Sequence, residues 1–136
     1  MKKNTVTPEY FLDTTILISA ITGRDLKCVE ILENNNFVLY TNGYAIKEVR
    51  RILRDVFTLT SYDINESIDH IRSKCSILPQ PSKNEIKNIK ISDKSDKPIV
   101  ATAKKLKIPL IIDDHTTYID AKKYIQTLKS NEIKIK

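Results

Sequence analysis

The chain has 136 residues, 40% of them hydrophobic and 29% charged, with a net charge of +6. That length suits one domain over residues 1–136 with a single core and no disulfide support, and no apolar run nears the roughly 20 residues that cross a bilayer. The positive charge points to a polyanionic partner, nucleic acid first, although a lysine-rich composition also arises from genome bias or a hot habitat.

Residues 1–8 are polar, close on Thr7-Pro8 and read as a flexible arm. The start is basic, but no signal-peptide apolar stretch follows it, so a cytoplasmic protein is expected. Tyr10-Phe11-Leu12 is a short buried strand, and Thr14 to Ile21 begins a helix with Asp13 at the junction. Asp25 is placed to cap a second helix carrying Leu26, Val29, Ile31 and Leu32, which Asn34-Asn35-Asn36 stops. Phe37–Tyr40 is a second strand. Thr41-Asn42-Gly43 turns the chain into a third helix over about Tyr44–Phe57, apolar along Ile46, Val49, Ile52, Leu53 and Val56. Ser61-Tyr62-Asp63 opens a fourth helix to about Lys74, with Ile64, Ile68 and Ile71 at helical spacing. Ser76–Leu78 reads as a short strand and Pro79–Ser92 as a connecting loop. Asp93 or Ser95 caps a fifth helix that includes Asp96–Leu106, with Pro98 tolerated in its first turn. Ile108–Ile112 is a strand, Thr117–Gln126 a short helix and Ile133–Ile135 a last edge strand. Short, continuous, apolar strands alternating with helices predict a three-layer α/β/α sandwich around a mainly parallel sheet. Cys28 and Cys75 are isolated and read as reduced thiols of an intracellular protein rather than a disulfide or zinc site.

In a basic chain, four acids at the edges of apolar segments need a reason. Asp13 follows the first strand and Asp114 follows Leu110-Ile111-Ile112. Asp96 opens the fifth helix and Glu48 lies one turn into the third. Ligands of open parallel sheets bind outside the carboxyl ends of the strands, and one topology brings all four acids to that edge. Carboxylates gathered there repel unless a cation lies between them. Oxygen donors suit Mg²⁺ or Mn²⁺ better than zinc. Such a site would activate a water for in-line attack on a phosphodiester and stabilise charge on the phosphoryl oxygens.

These segments resemble the PIN-domain nucleases, among them the VapC-type toxins of toxin–antitoxin pairs. Phe11-Leu12-Asp13-Thr14-Thr15 followed by Ile16–Ala20 is similar to that family's opening strand and Asp-Thr-Asn/Ser turn. Asp93–Ala103 is similar to its Asp-rich lead into an alanine-containing helix, and Leu110–Asp114 to its strand ending in Thr-Gly/Asn-Asp. Glu48 sits where the family carries its glutamate. The resemblance spans residues 10 to about 118. It departs at Thr15, where Asn or Ser is usual, at Ile112, where Thr is usual, and at Asp113, where Gly or Asn is usual.

The resemblance implies a PIN-like fold and a Mg²⁺- or Mn²⁺-dependent endoribonuclease with Asp13, Glu48, Asp96 and Asp114 as metal-holding catalytic acids. Thr15 would bond a carboxylate or a metal-bound water. Asp93 is either a rim acid or a helix cap, and Asp113 either supports the site or caps the next segment. Arg50, Lys94, Lys97 and Tyr118 are the RNA-binding candidates; Tyr44 is a second stacking candidate, and Arg51 and Arg54 share the Glu48 helix with Arg50 as partners for phosphate or for a partner protein's acids. His115 either contacts the phosphate or sits in a loop without catalytic duty. The implied partners are RNA, an antitoxin protein and a second copy of the chain. For that second copy, Leu26, Ile31, Ile64, Ile68 and Ile71 are the surplus apolar residues. The alternative is a PIN-like RNA-binding or assembly module with weak catalysis. A receiver-like phosphoacceptor domain fits less well, because no Asp follows Tyr40.

Overall fold

The computed structural model describes residues 6–135, so residues 1–5 of the expected arm lie outside the described residues. Among the described residues, five strands form one sheet: β1 (Glu9–Leu12), β2 (Val38–Asn42), β3 (Cys75–Leu78), β4 (Leu110–Ile111) and β5 (Thr127–Leu128). Their order is β3-β2-β1-β4-β5, and every pair is parallel. The helices are α1 (Thr14–Ile21), α2 (Leu26–Glu33), α3 (Gly43–Asp55), α4 (Ser61–Lys74), α5 (Lys83–Lys87), α6 (Lys97–Leu106) and α7 (His115–Asp120). Neighbouring residues of a strand face opposite sides of a sheet. Phe11 and Leu12 are both fully buried, as are Leu110 and Ile111, so both faces are covered and the architecture is α/β/α.

Side chains at the helix starts explain why the chain turns where it does. Asp13 accepts from the Thr15 N–H to start α1, and Asp25 accepts from the Lys27 and Cys28 N–H groups to start α2. Asn42 accepts from the Ala45 N–H at α3. At α4 the cap is Thr60, one residue before the Ser61 read from the sequence. Such caps contribute about 1 kcal/mol each. Helix α3 buries Ala45, Ile46, Val49 and Leu53 and exposes Lys47, Arg50, Arg51 and Arg54. Full burial of a side chain such as Leu53 contributes roughly 1.5–3 kcal/mol.

The structure corrects several expectations. The Pro79–Ser92 loop contains α5, started by a capping box in which Ser82 and Glu85 satisfy each other's backbone N–H groups. The Thr117–Gln126 helix is instead α7 followed by a 3-10 turn at Ala121–Lys123. The last strand is β5, where Thr127 pairs with Leu110, and not Ile133–Ile135. Ile133 is buried and Lys134 exposed, so the alternation there reports one-sided burial without a ladder of hydrogen bonds. Ile31, Ile64, Ile68 and Ile71 lie in the core of this single chain and cannot seat a second copy; of that set only Leu26 is exposed, at 71%. Cys28 and Cys75 are buried free thiols, each pushed up to about 12 by burial. Among the described residues, no helix is long and apolar enough to cross a membrane.

Candidate functional site

Strand β1 is the first in sequence yet central in the sheet. From it the chain leads to β2 on one side and later to β4 on the other, which leaves a crevice at the carboxyl ends of β1 and β4. Leu12 is in register with Ile111, and the Asp13 N–H donates to the Ile111 carbonyl at 3.2 Å. The residues that follow the two strands, Asp13 and Ile112-Asp113-Asp114, therefore flank that crevice. Asp114 then caps α7 by accepting from the Thr117 N–H at 3.0 Å. Asp96 ends a 3-10 turn over Lys94–Asp96 and is the N-cap of α6. Glu48 reaches the same place from the second turn of α3.

Together they line a cleft of about 180 Å³ whose walls include Asp13, Thr15, Tyr44, Glu48, Asp93, Asp96 and Asp114. Asp93, Asp96 and Asp114 bring carboxylate oxygens within 4.8 Å of one another. A larger groove of about 620 Å³ lies beside the starts of β1 and β4, but its charged lining residues are only Glu9 and Lys107.

The cleft holds its acids at a cost. Asp13 is 3% exposed, and burial raises its carboxyl above the usual range, with the Asp114 charge adding to the effect. The Thr15 hydroxyl donates to Asp13 Oδ2 at 2.6 Å and opposes that shift. Burial first, and then the charges of Asp13, Asp93 and Asp114, together push the Asp96 carboxyl up to about 7. The Thr117 hydroxyl, itself fully buried, donates to Asp96 Oδ2 at 2.6 Å and pulls the other way. Raised carboxyls mark negative charge that protein groups do not fully compensate.

The remaining candidates are placed differently. Asp93 is both a cap and a cleft residue, because it accepts from the Ser95 N–H and hydroxyl while lining the wall. Asp113 turns away: it accepts from the Ser130 N–H and hydroxyl, both at 2.7 Å, and stands with Asp25 and Cys28. Arg50 donates to Asn65 on α4 at 3.0 Å. Lys94 is exposed and Lys97 half-buried next to Asp96. Tyr118 donates its hydroxyl to Glu132, and Lys122 lies 3.9 Å from its ring centroid, so that face is already occupied. His115 stacks near Tyr118, with Nδ1 3.0 Å from the Lys129 ammonium.

Two residues were not singled out by sequence reasoning. Thr117 orients Asp96. Asn42, fully buried, caps α3 and donates from Nδ2 to the Thr102 hydroxyl at 2.8 Å and the Pro98 carbonyl at 3.2 Å, so it ties the helix of Glu48 to the helix that Asp96 opens. Arg51, read from the sequence as a partner for phosphate or for another protein's acids, pairs instead with Glu48 of its own helix. Only the caps carried a sequence signal: Asn42 before a helix and Thr117 three residues after Asp114.

No curated protein sequence matches the chain significantly. In fold it is similar to VapBC2 from Rickettsia felis, solved bound to a DNA fragment from their promoter, at 16% identity and TM-score 0.67 over 89% of this chain and 98% of that one. It is also similar to FitAcB from Neisseria gonorrhoeae, at 17% identity and TM-score 0.62 over 91% and 99% of the two chains. PAE2754 from Pyrobaculum aerophilum is similar at 15% identity and TM-score 0.65, over 91% of this chain and 92% of that one. Residues 9–114, which run from the first strand to the last cleft acid, match the family model of the PIN domain, and with the acids converging at the switch crevice of a parallel sheet, the chain belongs to the PIN domain family.

Proposed function

We propose that this protein is a metal-dependent endoribonuclease that hydrolyses RNA phosphodiester bonds and acts as the toxin of a toxin–antitoxin pair. PIN domains are generally nucleases, and the observation that carries the finer reading is the cleft itself. Asp13, Glu48, Asp96 and Asp114 come from separate segments of the chain and line about 180 Å³, with burial and mutual repulsion raising two of the carboxyls.

The donor set fits Mg²⁺ or Mn²⁺. Every ionisable side chain on the wall except Tyr44 is a carboxylate, with no histidine or cysteine among them, and hard divalent cations favour such oxygen ligands. Asp93, Asp96 and Asp114 are spaced to share an ion, and Asp13 and Glu48 face the same space. A bound cation would supply an activated water and charge stabilisation at the phosphoryl group. The chain's own residues do the rest. Thr15 and Thr117 fix the oxygens of Asp13 and Asp96 through their 2.6 Å bonds. Lys94 and Lys97, adjoining Asp96, are placed to hold the RNA backbone. The similarity to VapBC2 supports a small antitoxin protein as partner.

Incubation of the chain with single-stranded RNA tests this reading. Cleavage is expected with Mn²⁺ or Mg²⁺ and none in EDTA. Asp13→Asn should lower it by more than roughly a hundredfold, beyond the usual effect of losing a supporting group around a metal, with the circular dichroism spectrum unchanged. RNA binding without cleavage at any cation concentration would favour a non-catalytic binding module instead.

A further inference from the structure

Among the described residues, one cation pairs with a carboxylate of the cleft. Arg51 Nη2 lies 3.0 Å from Glu48 Oε1, with the two side chains 52% and 26% exposed. They are three residues apart on α3, so the helix itself holds the guanidinium at the rim of the cleft. No other hydrogen bond of Arg51 competes with this one among the described residues, and half its side chain is open to solvent. The pair is therefore exchangeable, as exposed ion pairs are worth little. Lys47, Arg50 and Arg54 share the exposed face of α3 and carry positive charge away from the cleft. A guanidinium fork matches the oxygens of a phosphate as well as those of a carboxylate.

We propose that Arg51 is an exchangeable counter-ion of this site, seated on Glu48 when no divalent cation is bound and transferred to an RNA phosphate beside the cleft when one is. The inference rests on the nuclease reading above. A divalent cation among Asp13, Asp93, Asp96 and Asp114 repels the guanidinium and satisfies Glu48 in its place. Arg51 then meets the polyanion at the rim. Cation and RNA each remove an obstacle to the other, so they bind with positive coupling that is reciprocal by thermodynamic linkage.

Mn²⁺ binding to the full chain, read by electron paramagnetic resonance of the free ion, tests this. Arg51→Gln should bind Mn²⁺ about three- to tenfold more tightly than wild type in the absence of RNA, since it removes both a competitor and a like charge. A short phosphorothioate RNA that resists cleavage should tighten Mn²⁺ binding to wild type and leave Arg51→Gln nearly unmoved. Binding by Arg51→Gln alone, with none by wild type, also supports the inference. Equal Mn²⁺ affinity in the two proteins, or weaker binding by the variant, overturns it and leaves the metal reading standing. No Mn²⁺ binding by either overturns both.

Discussion

Asp96 combines burial, three acidic neighbours and one buried hydroxyl, and its titration follows from their balance. Folded, its carboxyl keeps a proton up to about pH 7; unfolded, it releases it near pH 4. Between those values the folded chain binds more protons than the unfolded one, so metal-free stability falls as pH rises from about 4 to about 7 and stays low above. Asp13, raised by burial, acts in the same direction. Urea denaturation in EDTA should show Asp96→Asn gaining about 2 kcal/mol on wild type between pH 4.5 and 8, after allowance for the partial exposure of the group. A constant offset between the two proteins across that range would mean that Asp96 is not the titrating group. The site acids are legible in the sequence because each adjoins an apolar run or a cap position that fixes where the chain turns. Asp113 is the exception: adjacency to Asp114 says nothing about direction, and the hydroxyl and N–H of Ser130 decide where it points.

At the scale of elements, Asn42 joins what the sequence leaves separate. Its Oδ1 starts α3 and its Nδ2 fastens α6, so one side chain sets Glu48 against Asp96. Asn42→Ala should cost roughly 2–3 kcal/mol, a lost cap plus a lost buried hydrogen bond. Asn42→Ser keeps a capping oxygen and should cost about half as much; a Ser variant as stable as wild type would show that the tie to α6 contributes nothing, and equal losses in the two variants that the cap contributes nothing. Strands and helix starts such as Phe11-Leu12, Leu110-Ile111, Asp25 and Asn42 are legible because their signals are local. The tie from Asn42 to Thr102 spans 60 positions and the Thr117–Asp96 bond spans 21, and no local pattern encodes either. The same locality misled at Ile133–Ile135, where a period of two appears without a neighbouring strand, and at Ile64, Ile68 and Ile71, where a helical stripe cannot say whether its partner is the same chain or another.

For the whole molecule, the acid cleft is a local liability that a ligand can relieve. A cation that binds only the folded chain stabilises it by about 2.7 kcal/mol at a hundred times its dissociation constant, which for a chain of this size raises Tm by roughly 10 °C. Thermal melts should rise with Mn²⁺ and fall back with EDTA. Asp13→Asn should melt higher than wild type without metal, through relief of repulsion, and respond less to Mn²⁺; a full response in the variant would remove Asp13 from the metal site. The central position of β1 has a consequence for synthesis. Asp13 is made well before its partner across the crevice, Asp114, with the helices α1 to α6 between them, and β1 can pair with β4 only when that long separation closes. A growing chain holds β1, β2 and β3 without the other wall of the cleft. The acid cleft therefore cannot assemble until β4 and Asp114 have been made and folded back against β1, and a fragment that stops short of them holds Asp13 and Glu48 without a site.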